Sequence, residues 1–192
     1  MNKKRSISVK TLVLCAVLTA IVILLQLFGS AIKFGMFSIS LVLIPIVLGS
    51  AMAGPFAGGW LGFIFGLTVL LSGDAGAFLV VNPAGTVITV LLKGILAGLL
   101  SGLFYKLLAK KNKNTAVFLS AAICPIVNTG IFLIGCKLFF YETISQWGSQ
   151  LGYESAAAYM FLGLAGVNFL VELLTNLILS PIILRLLKIK KA

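Results

Sequence analysis

Between Phe34 and Gly73 the chain runs for 40 residues without one charged side chain. A helix that crosses about 30 Å of hydrocarbon needs roughly 20 apolar residues. The stretch is twice that length, so it holds two spans. The break falls at Ser50-Ala51-Met52-Ala53-Gly54-Pro55. A Gly-Pro pair ends one helix, and proline is tolerated in the first turn of the next, where its missing N–H has no partner to lose. The second span is therefore read as 37–53 and the third as 55–71.

The same reasoning extends to both ends. The first span is 9–29. Its run from Leu12 to Gly29 is uncharged and longer than the core of a usual signal peptide, so it reads as a retained helix. An outer loop with Lys33 and an outer turn at Ser72-Gly73-Asp74-Ala75-Gly76 follow the first and third spans. The fourth span is 83–105, the polar segment Lys110–Asn114 is an inner loop, and the fifth span is 115–139. The longest outer segment, 141–156, carries Glu142, Trp147, Tyr153 and Glu154. The sixth span is 157–187, and Pro181 is expected to kink it near its inner end.

Charge placement orients this array. Of the 15 Lys and Arg residues, all but Lys33, Lys93 and Lys137 fall on one side. They cluster at Lys3, Lys4, Arg5 and Lys10, at Lys106, Lys110, Lys111 and Lys113, and at Arg185, Lys188, Lys190 and Lys191. Basic groups that flank apolar runs mark the cytoplasmic side and suit the anionic headgroups there. The expected fold is an all-α integral membrane protein: a compact bundle of about six transmembrane helices, N-in and C-in, in a single membrane domain over 1–192. The setting is a bacterial plasma membrane. The net charge of +11 lies on these flanks, which argues against nucleic acid as a partner. Composition agrees, since 60% of residues are hydrophobic and 10% charged, against about 25% charged in soluble domains.

Reactive groups are scarce. There is no histidine, Asp74 is the only aspartate, and no G-x-x-x-x-G-K-[ST] loop occurs. Histidine-dependent hydrolases, two-aspartate proteases and phosphate-loop ATPases are excluded within this chain. Cys15, Cys124 and Cys136 lack metal-ligand spacing and read as small hydrophobes. No enzyme activity, metal or cofactor is expected. Binding, transport or scaffolding remains.

Ionisable residues inside spans are costly and point to function. Lys93 lies about eleven residues into the fourth span, roughly 16 Å along a helix that rises 1.5 Å per residue. Glu172 lies near the middle of the sixth span. Asn82, Thr86, Thr89 and Lys93 share one helix face, and Asn168, Glu172, Thr175 and Asn176 share another. Asn128 follows Pro125 at mid-depth on the fifth span. These stripes converge beneath the loop that bears Trp147 and outline a small-molecule cavity. Its candidate substrate-binding residues are Asn82, Thr86, Thr89, Lys93, Asn128, Trp147, Asn168 and Glu172. A plainer reading has Lys93 and Glu172 neutralise each other, Asn128 bond between helices and Trp147 anchor at the interface; the two readings are compatible. Gly54, Gly58, Gly62 and Gly66 form a small-residue stripe, as do Gly94, Gly98 and Gly102. Such stripes allow close backbone approach, within the monomer or at a dimer seam.

The pattern as a whole resembles the substrate-binding S component of an energy-coupling-factor (ECF) vitamin transporter. Ala16-Val17-Leu18-Thr19-Ala20 matches the family's A-x-x-x-A docking motif, and the stretch from Phe37 to Pro45, with Gly54-Pro55 and its glycine stripe, is similar to the family's second and third spans. The resemblance implies a chain that captures a vitamin-class molecule from outside. It implies docking through Ala16 and Ala20 on a membrane-embedded coupling subunit, driven by two ATPase subunits. A buried lysine leans toward an anionic substrate such as pantothenate or folate. Two other functions fit the composition: a stand-alone transporter with Glu172 as proton carrier, and a structural membrane subunit.

Overall fold

The computed structural model describes residues 8–31, 33–34, 37–38 and 41–189, with side chains over 8–30 and 41–188. Helix α1 (Val9–Ala31) leads into a short antiparallel pair, β1 (Lys33–Phe34) and β2 (Phe37–Ser38), in which Phe34 pairs with Phe37. Helices α2 (Leu43–Ala53), α3 (Pro55–Leu71), α4 (Gly76–Val81), α5 (Pro83–Leu108) and α6 (Lys113–Phe139) follow. After α7 (Tyr141–Gln150) and the single turn α8 (Ala156–Ala158), a π-helical segment (Tyr159–Gly166) continues into α9 (Val167–Ile189). Among the described residues, four stretches are long and apolar enough to cross a membrane: Val9–Ser30, Pro83–Leu108, Lys113–Phe139 and Ala156–Lys188. Helices α2 and α3 are apolar but shorter, with 11 and 17 residues. The basic groups at Lys3, Lys4, Arg5, Lys190 and Lys191 lie outside the described residues.

The Gly-Pro break is where the sequence places it. Gly54 closes α2 and opens α3 with φ +99°, a backbone region that glycine enters without steric cost. The start of α2 differs from the expected span at 37: Phe37 and Ser38 belong to β2, and the helix begins at Leu43. Pro45 is the reason. In a helix begun at Phe37 it would sit in the interior without an N–H to bond Leu41, whereas from Leu43 it occupies the first turn. The expected outer segment 141–156 contains α7, and the sixth span holds the π-helical segment in place of a regular α-helix. Helix α9 runs on through Pro181.

The two glycine stripes face each other within the monomer. A β-carbon on Gly58 or Gly62 would overlap the backbone carbonyl of Gly98 or Gly94, and the reverse holds for each partner. Gly66 stands over the Val90 carbonyl and Gly102 over Pro55. Helices α3 and α5 thus meet backbone to backbone. Around this seam Leu43, Ile46 and Val47 of α2, Leu61 of α3, and Leu18 and Val22 of α1 form the apolar core. Ser50, Ser101 and Ser120, all buried, tie α2, α5 and α6 together; the Ser101 and Ser120 hydroxyls lie 2.7 Å apart, each also within hydrogen-bonding reach of the other's backbone carbonyl, and the Ser50 hydroxyl lies 3.4 Å from that of Ser101. Outward-facing Phe56, Leu71 and Val80 are each at least 85% exposed, a surface suited to hydrocarbon rather than water.

The seam yields a contrast between two glycines. Gly62→Ala places a methyl group on the Gly94 carbonyl, whereas Gly130 has nothing within 4 Å of its β-position. Gly62→Ala should destabilise the protein by about 1–3 kcal/mol, and Gly130→Ala should be neutral or slightly stabilising. Thermal unfolding of the two variants in one detergent checks this. Equal melting temperatures would contradict the backbone contact.

Candidate ligand-binding site

The site is built outward from the start of α5. The Asn82 side chain accepts a hydrogen bond from the Gly85 N–H at 2.9 Å, and the Thr86 hydroxyl donates to the Asn82 carbonyl at 2.8 Å. With the helix pinned there, three- and four-residue spacing sets Thr86, Thr89, Val90 and Lys93 along one face. They line a cavity of about 80 Å³ with Gln26 of α1, Phe65 and Val69 of α3, Phe132 of α6, and Asn168 and Glu172 of α9. A second cavity of about 50 Å³ shares Lys93, Phe132, Asn168 and Glu172 and adds Asn128 and Thr129. Larger recesses exist, among them one of about 350 Å³ beside Lys113 and Lys188. The polar groups there are exposed, and the buried ones gather around Lys93.

The Lys93 ammonium lies 5.5 Å from the ring centroids of both Phe65 and Phe132. Such placement over ring faces attracts a cation most strongly where water is excluded. Its principal electrostatic partner is Glu172, on the opposite wall. Asn128 of α6 lines the adjoining cavity with Glu172. The Asn128 side-chain oxygen and the Thr89 hydroxyl are buried and have no hydrogen-bond partner among the described residues. Native structures leave few such atoms, and two of them lie in the walls around one lysine.

At the end away from the Lys110-Lys111 turn the cavity is capped. The Gln26 side chain donates to Asp74 at 2.6 Å, which ties α1 to the turn after α3. Phe78 of α4 packs edge-on against Phe132, Phe140 and Trp147, with ring centroids 5.9, 5.0 and 5.6 Å away. Helices α4 and α7 thus close an aromatic roof.

Of the residues expected from the sequence, Thr86, Thr89, Lys93, Asn168 and Glu172 line the first cavity, and Asn128 lines the second. Asn82 does not: its side chain caps α5 and borders a separate recess. Trp147 stands behind Phe78 rather than in the wall. Thr175 and Asn176 bond back to their own helix, to the Val171 and Glu172 carbonyls. Gln26, Asp74 and the phenylalanines are lining residues the sequence reading missed. Gln26 alone carried a signal, as the one amide within the apolar first span. Ala16 and Ala20 face outward, while Leu18, Val22 and Gln26 of the same helix are buried.

Lys93→Met removes the principal opposite charge near the buried Glu172 and should lower stability, by at most the roughly 3–5 kcal/mol of a broken buried ion pair. Adding Glu172→Gln should restore most of that loss. Thermal unfolding of both variants is the check, and a single variant as stable as the parent would contradict the electrostatic partnership.

Two comparisons place this chain among known proteins. A solved structure of ThiT from Listeria monocytogenes is similar in fold, with a TM-score of 0.67 over 91% of this chain and 93% of that one, at 23% identity. No curated protein matches the sequence. The family model described as "ECF transporter, substrate-specific component" matches residues 10–184. The chain therefore belongs to the ECF transporter substrate-specific component family, the membrane-embedded, non-enzymatic subunits that bind substrate for ECF importers.

Proposed function

We propose that this chain captures a vitamin-class micronutrient from the outer face of a bacterial plasma membrane and hands it to an ATP-driven importer. The observation that carries the reading is the pair of adjoining cavities between α3, α5, α6 and α9, which share the buried charges of Lys93 and Glu172 and add Asn128 in the second. Charged groups at that depth are retained where they serve a ligand or a pathway. In this reading six segments cross the membrane, α2 and α3 among them, with both termini in the cytoplasm and the aromatic roof outside. Pockets for drug-sized ligands measure about 300–1,000 Å³, far more than the cavity of about 80 Å³. Substrate entry therefore parts the walls, and the roof of α4 and α7, held by side-chain contacts, is the part that yields. The anionic preference, for pantothenate or folate, has Lys93 behind it, but Asp74 and Glu172 line the same cavity.

The partners follow from family membership: a membrane-embedded coupling subunit and two ATPases. The exposed Ala16 and Ala20 on α1 give the coupling subunit a smooth face to approach. Replacing both with Leu should abolish uptake in cells carrying the full transporter, while the purified variant keeps its affinity for the co-purifying small molecule. Uptake should also stop when the ATPases are inactivated. Normal uptake by the double variant would remove this face as the docking surface, and uptake without ATPase activity would favour a stand-alone transporter.

A further inference from the structure

The recess of about 350 Å³ at the basic end of the bundle shares no lining residue with the two Lys93 cavities. It lies where α2 and α5 end, α6 begins and α9 approaches its last turn. Its wall has two chemistries. Tyr105, Leu184 and Leu187 are half-buried and pack on the apolar core. Lys113, Asn114 and Lys188 are exposed. Two like charges on one recess repel, and an anion shared between them removes that cost. No acidic side chain lines the recess. The four in the chain are Asp74, Glu142 and Glu154, in the turns and short helices of the opposite end, and Glu172, in the Lys93 cavity. The start of α6 does not take an anion by its own N–H groups, because the Asn112 side chain accepts those of Asn114 and Thr115 at 2.9 and 3.3 Å.

The occupant has to match both halves of this wall. A soluble anion uses the lysines and leaves Leu184 and Leu187 in water. An apolar segment covers the leucines and leaves the lysines without a counter-charge. A phospholipid supplies a phosphate and a hydrocarbon chain together. In the topology given above, on which this inference rests, the recess faces the cytoplasmic leaflet. Basic pockets between spans on that side hold anionic headgroups, and lysine stems lie along apolar surface while their ammonium groups reach the phosphate layer. The apolar surface also continues along α9, where Ile182 and Leu186 are exposed. We propose that the recess is a specific site for one anionic phospholipid, with its phosphate between Lys113 and Lys188 and an acyl chain along the inner end of α9.

The test uses the full-length protein in nanodiscs of mixed phosphatidylglycerol and phosphatidylcholine. Native mass spectrometry after release from the nanodisc counts the lipids each protein retains. The expected result is one preferentially retained phosphatidylglycerol, with that preference reduced at least about tenfold in Lys113→Gln/Lys188→Gln. Lys110→Gln/Lys111→Gln removes the same charge beside the recess rather than in its wall and should keep the preference. Equal loss in both double variants would show diffuse attraction to the basic surface and overturn the site. So would equal retention of both lipids by the parent protein. Displacement of the lipid by excess inorganic phosphate would identify a soluble-anion site and overturn the lipid assignment. An unchanged preference in Lys113→Gln/Lys188→Gln also overturns it, and failed assembly of that variant with the coupling subunit would then give the recess to a protein partner. The vitamin takes no part in the measurement, so each of these failures leaves substrate capture standing.

Discussion

The structure depends on the contact between the backbones of α3 and α5. In a bilayer, apolar side chains gain nothing by leaving lipid for protein, so helices associate through close packing and hydrogen bonds. The glycine pairs Gly58/Gly98 and Gly62/Gly94 supply the packing, since their carbonyls occupy the space a β-carbon would fill. This seam fixes the depth at which α5 sits against α3. It brings Lys93 beside Phe65 and Val90 beside Gly66. Side-chain contacts of ordinary length would hold the helices farther apart, and the Lys93 ammonium would lose one of its two rings.

Polar groups are divided between the two ends of the bundle according to what they do. The serine cluster of α2, α5 and α6 satisfies its own hydrogen bonds and closes the region next to the basic loop. Toward the other end the pattern is incomplete. Lys93 and Glu172 face one another around a cavity, and oxygens of Thr89 and Asn128 stay unmatched. One polar set locks helices together, and the other gathers around the Lys93 cavity. The π-helical segment lies two residues before Asn168, and such local rewinding of a helix is frequent at functional sites.

How much of this is legible in the sequence varies by residue type. Lys93 and Glu172 stand out because a charge in an apolar run has no inexpensive position facing lipid. The Gly54-Pro55 break is equally plain, since few sequences other than a helix end and start tolerate that pair. The phenylalanines are opaque: the chain has 14 of them, and nothing local separates Phe56, which faces outward, from Phe65, which lines the cavity. Asp74 reads as a turn residue because Gly73 and Gly76 surround it, and only the fold reveals its bond to Gln26. Asn82 shares the spacing of the polar stripe but sits at the helix start, where capping claims its side chain. The π-helical segment shifts the register of one helix over 8 residues, too short a stretch for a period to be read.

The central claim is that the space bounded by Lys93, Asn128 and Glu172 is where this ECF substrate-specific component holds its substrate. An experimental structure of the protein, purified with the small molecule it retains from cells, tests that claim most directly. The account predicts ligand density within hydrogen-bonding distance of Lys93 and Asn128, beneath a displaced α4–α7 roof. Ligand density confined to the recess beside Lys113 and Lys188, with the Lys93 cavity unchanged, would contradict it.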